Sequence, residues 1–233
     1  MLRGTCFARG ATERKDRMRI GIIGGTGKEG SGLGLRWAAA GHEVIIGSRD
    51  PERARGKAAE LAAAAPRARV SGMANRDAAS AADLVALAVP ANGLEATLPE
   101  LKDACRGKVV VSTVVPLTFG SGRLFTPPPQ GSSAEQAQAL LGPEARVVAA
   151  FHHIAAHELA AGDQPIDCDL LLCGGDAEAK KLVSDLGASL GLRAVDVGPL
   201  SNAGPLEGIT AVLATINRRY KLKNSGIKIT GLP

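Results

Sequence analysis

The stretch Gly24-Gly25-Thr26-Gly27-Lys28-Glu29-Gly30 constrains this chain more than any other, because it joins two segments of different period. Before it, Arg19-Ile20-Gly21-Ile22-Ile23 is a short apolar run that reads as a buried strand; after it, Leu33, Trp37 and Ala40 recur at helical spacing over Ser31–Ala40. Gly25-x-Gly27-x-x-Gly30 is therefore a dinucleotide fingerprint in its required strand–turn–helix context. Gly25 permits the tight turn, Gly27 lets a pyrophosphate approach backbone N–H groups, and Gly30 lets the helix pack closely on the strand. The helix N-terminus supplies donors and partial positive charge. Glycine-rich turns also arise for structural reasons alone, and the flanking pattern is what lifts this one above that reading.

The segments that follow alternate strand and helix, the pattern of a Rossmann-type α/β fold with a doubly wound parallel sheet. Strands are expected at 42–47, 69–72, 83–89, 108–113 and 146–151, and helices at 51–65, 75–82 and 94–105. Between the fifth and sixth strands, Val114–Gln130 is a long Gly- and Pro-rich connection, read as a loop bordering the site with its Pro127-Pro128-Pro129 tip exposed. From about Ala155 a smaller C-terminal α/β domain is expected: strands at 170–173 and 193–197, a helix at 177–190, and a last helix reaching Tyr220. In that helix Leu206, Ile209, Leu213, Ile216 and Tyr220 are spaced 3-4-3-4, either a core stripe or a subunit contact. The division is thus residues 1–17, 18–154 and 155–233.

At 233 residues with 45% apolar and 22% charged side chains, the chain can bury a sizeable core. No apolar run nears the roughly 18 residues that span a bilayer, so no membrane partner is expected. Aromatic residues, at 3%, are too few for nucleic-acid stacking platforms. Of the net charge of +5, +3 lies in residues 1–17, which carry five basic and two acidic side chains. That segment lacks an apolar signal core and reads as a disordered extension or a start placed too early, with Met18 opening the fold. Cys6, Cys105, Cys168 and Cys173 show neither a zinc nor a disulfide spacing, and the cytoplasm is the expected compartment.

The second strand should end beside the cofactor's adenine ribose. An NAD-binding chain places Asp or Glu there, whereas this one has Gly47-Ser48-Arg49-Asp50-Pro51-Glu52-Arg53. A hydroxyl and two guanidiniums one helical turn apart suit a 2′-phosphate, so NADP is the expected cofactor. Asp50 fits better as a helix N-cap with Pro51 at the first helical position. The other strand ends, Val89-Pro90-Ala91, Thr113–Leu117 and Phe151-His152-His153-Ile154, are mostly apolar and hold no Ser–His–Asp set. His153 and His157 could share one helix face, but no acidic or cysteine residue completes a metal site, and none is expected. A histidine here either hydrogen-bonds an organic cofactor or is structural. An apolar crevice without acid–base groups suits hydride transfer between two cofactors, where alignment supplies the rate.

Gly24–Gly30, Gly47-Ser48-Arg49, Ala88-Val89-Pro90, Val115-Pro116-Leu117, Phe151–Ala156, Gly198–Asn202, Ile216–Tyr220 and Gly226–Gly231 occur in the order found in the NADPH-dependent reductases of the deazaflavin coenzyme F420. The chain resembles that family across nearly all of residues 18–233. The resemblance implies reversible hydride transfer between NADP(H) and coenzyme F420, and the Leu206–Tyr220 stripe leads to the expectation of a homo-oligomer. The resemblance also implies that Thr26 to Glu29, Ser48, Arg49 and Arg53 hold NADP, with Arg53 where the family often has lysine. Val89, Pro90 and Ala156 would line the nicotinamide, His152 and Ile154 would lie against the deazaflavin, and Leu200, Ser201 and Asn202 would sit near its polar edge. Two positions depart from the pattern on the acceptor side: Gly204, where many relatives have arginine, and Ala155, where the family has proline. The competing readings are an NADPH-dependent flavin, ferric or quinone reductase on the same scaffold, and a non-catalytic NADP sensor.

Overall fold

The computed structural model describes residues 17–120, 122–162 and 164–232. The expected extension over 1–17, with Cys6, lies outside them but for Arg17. In chain order the elements are β1 (Arg19–Ile23), α1 (Lys28–Ala39), β2 (Glu43–Ser48), α2 (Pro51–Ala64), β3 (Arg69–Ala74), α3 (Asn75–Ala81), β4 (Leu84–Leu87), α4 (Leu94–Thr97), α5 (Lys102–Cys105) and β5 (Val109–Ser112). Then come α6 (Ser133–Leu141), β6 (Arg146–Ala149), α7 (Ala156–Ala160), β7 (Asp169–Gly174), α8 (Ala177–Ala188), β8 (Arg193–Asp196) and α9 (Ala203–Tyr220).

One eight-stranded sheet runs β3-β2-β1-β4-β5-β6-β7-β8. Its first six strands are parallel, β7 is antiparallel to β6, and β8 is parallel to β7. Successive residues feed opposite core layers: Ile20, Ile22, Val44, Ile46, Leu84 and Ala86 meet Leu33, Trp37 and Leu61, while Ile23, Ile45, Val85 and Leu87 meet Ala78, Leu94, Leu98 and Leu206. Because both faces are covered at the middle of the sheet, β4 and β5 are buried at every position instead of alternating.

Three sequence expectations change. Residues beyond 155 build no sheet of their own: β7 and β8 extend the main one, and Leu170, Leu172 and Val183 share a core layer with Ile20 and Trp37. The helix expected at 94–105 is broken, because Pro99 lacks an N–H to donate; α4 and α5 are single turns joined by a 3₁₀ turn at Pro99–Leu101. The third difference is α6, in residues 131–145, to which the sequence pattern assigns no element; Ser132 Oγ accepts from the Glu135 amide at 3.0 Å and caps it. Among the described residues the long loop before α6 forms no strand, although Leu117 and Phe125 pair as an isolated bridge, and Pro127 and Pro129 are exposed.

Candidate functional site

The carboxyl ends of β1, β2 and β4 open onto a cavity of about 850 Å³ lined by the fingerprint turn, the β2–α2 junction and Ala88-Val89-Pro90. A cavity this size lies within the roughly 300–1,000 Å³ of small-molecule sites. The three fingerprint glycines are required for different reasons. A Cβ on Gly25 would stand 2.9 Å from the Ile22 carbonyl oxygen, and one on Gly30 would stand 2.7 Å from Gly25 Cα. A Cβ on Gly27 would meet nothing nearer than Gly24 O at 3.6 Å. Protein packing therefore explains Gly25 and Gly30, whereas Gly27 faces free space and needs a ligand to explain it. Gly27 is also the N-cap of α1 and no side chain caps it, so the first-turn amides are left for an anion.

The turn is pinned from below. The Gly25 amide donates to Gly47 O at 3.0 Å, and the Gly24 amide donates to Oδ1 of buried Asn75 at 3.3 Å. Asn75 also lines the cavity. At the end of β2, the Asp50 carboxylate accepts from the Glu52 and Arg53 amides at 2.9 and 3.4 Å, so it serves α2 as a cap beside Pro51. Ser48 Oγ accepts from the Asp50 amide at 3.2 Å and keeps its own proton to donate. Arg49 and Arg53 are exposed on the cavity rim, with no ion pair among the described residues. Glu29 lines the same cavity, and burial pushes its carboxyl up to about 8.

A second group of the expected site residues starts where β6 ends. Phe151 takes φ +66°, a left-handed conformation costly for a bulky residue, and its ring is held edge-on to Trp37 at 5.5 Å. This reversal turns His152, His153 and Ile154 inward. His152 is 5% exposed with neither ring nitrogen hydrogen-bonded; burial, together with the His153 ring, holds it down at about 3. His153 Nε2 donates to the Asp169 carbonyl at 2.9 Å, and burial lowers its pKa too. His153 precedes α7, so it shares no helix face with His157, and among the described residues no three His, Cys, Asp or Glu side chains are grouped to hold a metal ion.

Ala156 opens α7, which is clamped to α1. Arg36, buried on α1, donates to the carbonyls of Glu158, of Leu159 at 3.1 Å and of Gln164 at 2.6 Å, and a Cβ on Gly32 would stand 2.7 Å from Leu159 Cβ. Leu200, Ser201 and Asn202 form a 3₁₀ turn packed on β6, β7 and α6, with Asn202 Nδ2 donating to Val197 O at 2.6 Å. Just beyond, buried Glu207 accepts from the Ser133 and Ala134 amides at 3.0 Å each and so caps α6 from α9. Burial pushes this carboxyl up to about 7 despite those two hydrogen bonds.

The family model described as coenzyme F420-dependent NADP oxidoreductase matches residues 19–116. The F420-dependent NADP reductase of Methanothermobacter thermautotrophicus is 41% identical over 93% of this chain and 96% of its own length. That of Methanocaldococcus jannaschii is 42% identical over 92% and 99%. The chain belongs to the coenzyme F420-dependent NADP oxidoreductase family. A crystal structure of a candidate F420-dependent NADP reductase from Arthrobacter sp. FB24 superposes with a TM-score of 0.77 at 28% identity, covering 91% of this chain and 99% of that one. Metalloreductase STEAP3 of Rattus norvegicus is 30% identical over 84% of this chain but only 37% of its own length.

For an F420-dependent NADP oxidoreductase the placement of the expected residues is uneven. Thr26, Gly27, Lys28, Glu29, Ser48, Arg49, Arg53, Val89 and Pro90 converge on one cavity, with Gly25 and Gly30 packed beneath. His152, Ile154, Ala156 and Leu200–Asn202 do not line it; Ile154 borders a separate cavity of about 440 Å³. Sequence reasoning missed Asn75 and Glu207. A polar residue directly after a strand was a usable signal for Asn75, but a helix-borne glutamate capping a different helix leaves none. Gly204, the departure from the family pattern, touches Gly131: a Cβ there would stand 2.7 Å from the Gly131 carbonyl oxygen, so a longer side chain requires the loop to move.

Proposed function

We propose that this chain carries hydride directly and reversibly between NADP(H) and coenzyme F420, supplying position, charge and exclusion of water and no reacting side chain. The observation that carries the reading is the single cavity joining an open Gly27, a capless helix N-terminus, Ser48 with Arg49 and Arg53, and the Val89-Pro90 wall. These residues fit a dinucleotide phosphate: free amides for the pyrophosphate, a hydroxyl and two unpaired guanidiniums for the 2′-phosphate, and no Asp or Glu at position 48 to repel it. Thr26 to Glu29 hold the pyrophosphate, Ser48, Arg49 and Arg53 select NADP, and Val89, Pro90 and Ala156 wall the nicotinamide. His152, Ile154, Leu200, Ser201 and Asn202 take the deazaflavin. The nicotinamide and deazaflavin supply the donor and acceptor carbons themselves. His152, held at about 3, carries no proton at neutral pH and acts by shape and by its unused ring nitrogens.

In this reading residues 18–154 hold the cofactor and residues 155–233 complete the acceptor side while sharing one sheet. Val212 and Tyr220, 58% and 66% exposed on α9, support a homo-oligomer through that helix. The three described cysteines are buried free thiols, which supports a cytoplasmic setting. Among the described residues no helix is long and apolar enough to cross a membrane. The likeness to a metalloreductase supports a second reading, NADPH-dependent ferric or flavin reduction on the same scaffold. One experiment separates the two: stopped-flow mixing with F420 and NADPH deuterated at C4 of the nicotinamide. Direct transfer puts the label in reduced F420 with no one-electron product; label lost to solvent, or ferric reduction without F420, overturns it.

A further inference from the structure

Glu29 is the second residue of α1, inside the turn assigned to the phosphates. Its Oε1 is shut off from solvent with no hydrogen-bond partner, although the residue lines the cofactor cavity. A carboxylate in a first helical turn is ordinarily favoured by the helix N-terminus. Here loss of water outweighs that benefit, and burial alone accounts for the shift to about 8. The charged groups around the same cavity are Lys28, Arg49, Asp50, Arg53 and Glu100; on α7, packed against α1, they are His157 and Glu158. None forms an ion pair or hydrogen bond with Glu29. A phosphate drawn to this turn places further negative charge beside a carboxyl whose Oε1 already lacks both water and a partner.

We propose that Glu29 meets the dinucleotide as a neutral acid, so that NADP(H) binding above neutral pH takes up one proton there and release returns it. The proton comes from solvent and stays on the carboxyl, and no covalent bond of the cofactor changes. In this form the O–H is a donor to a phosphate oxygen, and the anion gains a hydrogen bond where an ionised glutamate would repel it. The proposal rests on the reading that the fingerprint turn holds NADP(H). The sign follows from the direction of the shift. Below about pH 8 the free protein already carries the proton and binding moves none. Above it the free carboxyl is ionised, so affinity falls by up to about tenfold per pH unit as the proton must be supplied.

Calorimetric titration of the whole chain with NADPH tests this, run at pH 6.5, 8 and 9 in pairs of buffers with different ionisation enthalpies. Near-zero uptake is expected at pH 6.5, about half a proton at pH 8, and close to one at pH 9. The cofactor's own 2′-phosphate, which titrates near pH 6, is fully ionised in the upper range, and NADH, which lacks it, should show the same uptake. Glu29→Gln keeps the shape and a donor; its uptake should vanish, and at pH 9 it should bind NADPH about tenfold more tightly than the parent. Uptake that persists in Glu29→Gln, or NADPH binding at pH 9 with no proton moved in the parent, overturns the proposal and leaves the fingerprint reading intact. Failure of NADPH to bind at all overturns both.

Discussion

On the cofactor side of the crevice Arg49 and Arg53 stand exposed and unpaired on the rim of a cavity, whereas on the acceptor side His152 lies 5% exposed with two unpartnered ring nitrogens. The first wall offers free charge and free amides around an open glycine. The second offers burial, a strained Phe151 and side chains packed into the core. Charge on a rim discriminates one anion from another and remains soluble when empty. Buried, unsatisfied polar atoms cost stability and persist where something other than folding uses them. On the proposed reading the two groups of residues would recognise their ligands by different means, electrostatic on one side and steric on the other.

The largest expected effect lies on the charged wall. Replacing both Arg49 and Arg53 by alanine removes two charge-assisted contacts of roughly 1.5–3 kcal/mol each, so kcat/KM for NADPH should fall at least about a hundredfold. Steady-state rates with NADH should barely move; an equal loss with both nucleotides breaks the assignment to the 2′-phosphate. Next comes Gly27→Val. A Cβ at this position meets no protein atom nearer than 3.6 Å, so the melting temperature should hold while NADPH affinity drops about tenfold or more. A collapse in thermal stability would show that Gly27 serves packing instead.

The smallest effect tests the buried wall. His152→Leu removes two orphaned polar atoms at similar volume and should raise stability by about 1 kcal/mol, measured by denaturant unfolding. It should lower kcat/KM for F420 about tenfold while leaving NADPH affinity unchanged; intact F420 turnover would leave the buried wall without a role. The same variant changes the acid limb. His152 is held at about 3 in the fold, so below its ordinary value near 6.5 the unfolded chain binds more protons and stability falls as pH drops. Without the imidazole, that loss between about pH 6.5 and 3 should shrink.

The cofactor wall was legible because its chemistry is local. Seven consecutive residues make the phosphate turn, and Ser48, Arg49 and Arg53 lie within one helical turn, so position in sequence is nearly position in space. The strands were legible because burial on both faces leaves continuous apolar runs such as Leu84–Leu87. The acceptor wall depends on contacts between distant residues, including Thr210 Oγ1 to His152 O at 3.1 Å, Glu207 to Ser133 and Ala134, and Arg36 to the end of α7. No local pattern encodes those. Nor does one reveal that β7 joins the existing sheet, because an apolar strand reads the same in a new sheet as at the edge of an old one.

The Arg36 clamp makes a single strut of two helices. The helix whose tip faces the phosphates is tied, two turns further along, to the short helix that opens at Ala156 and follows directly from His152–Ile154. On the proposed reading, the distance between the donor and acceptor sides would be set by this span. A side chain at Gly32, whose Cβ would stand 2.7 Å from Leu159 Cβ, would push the two helices of that strut apart.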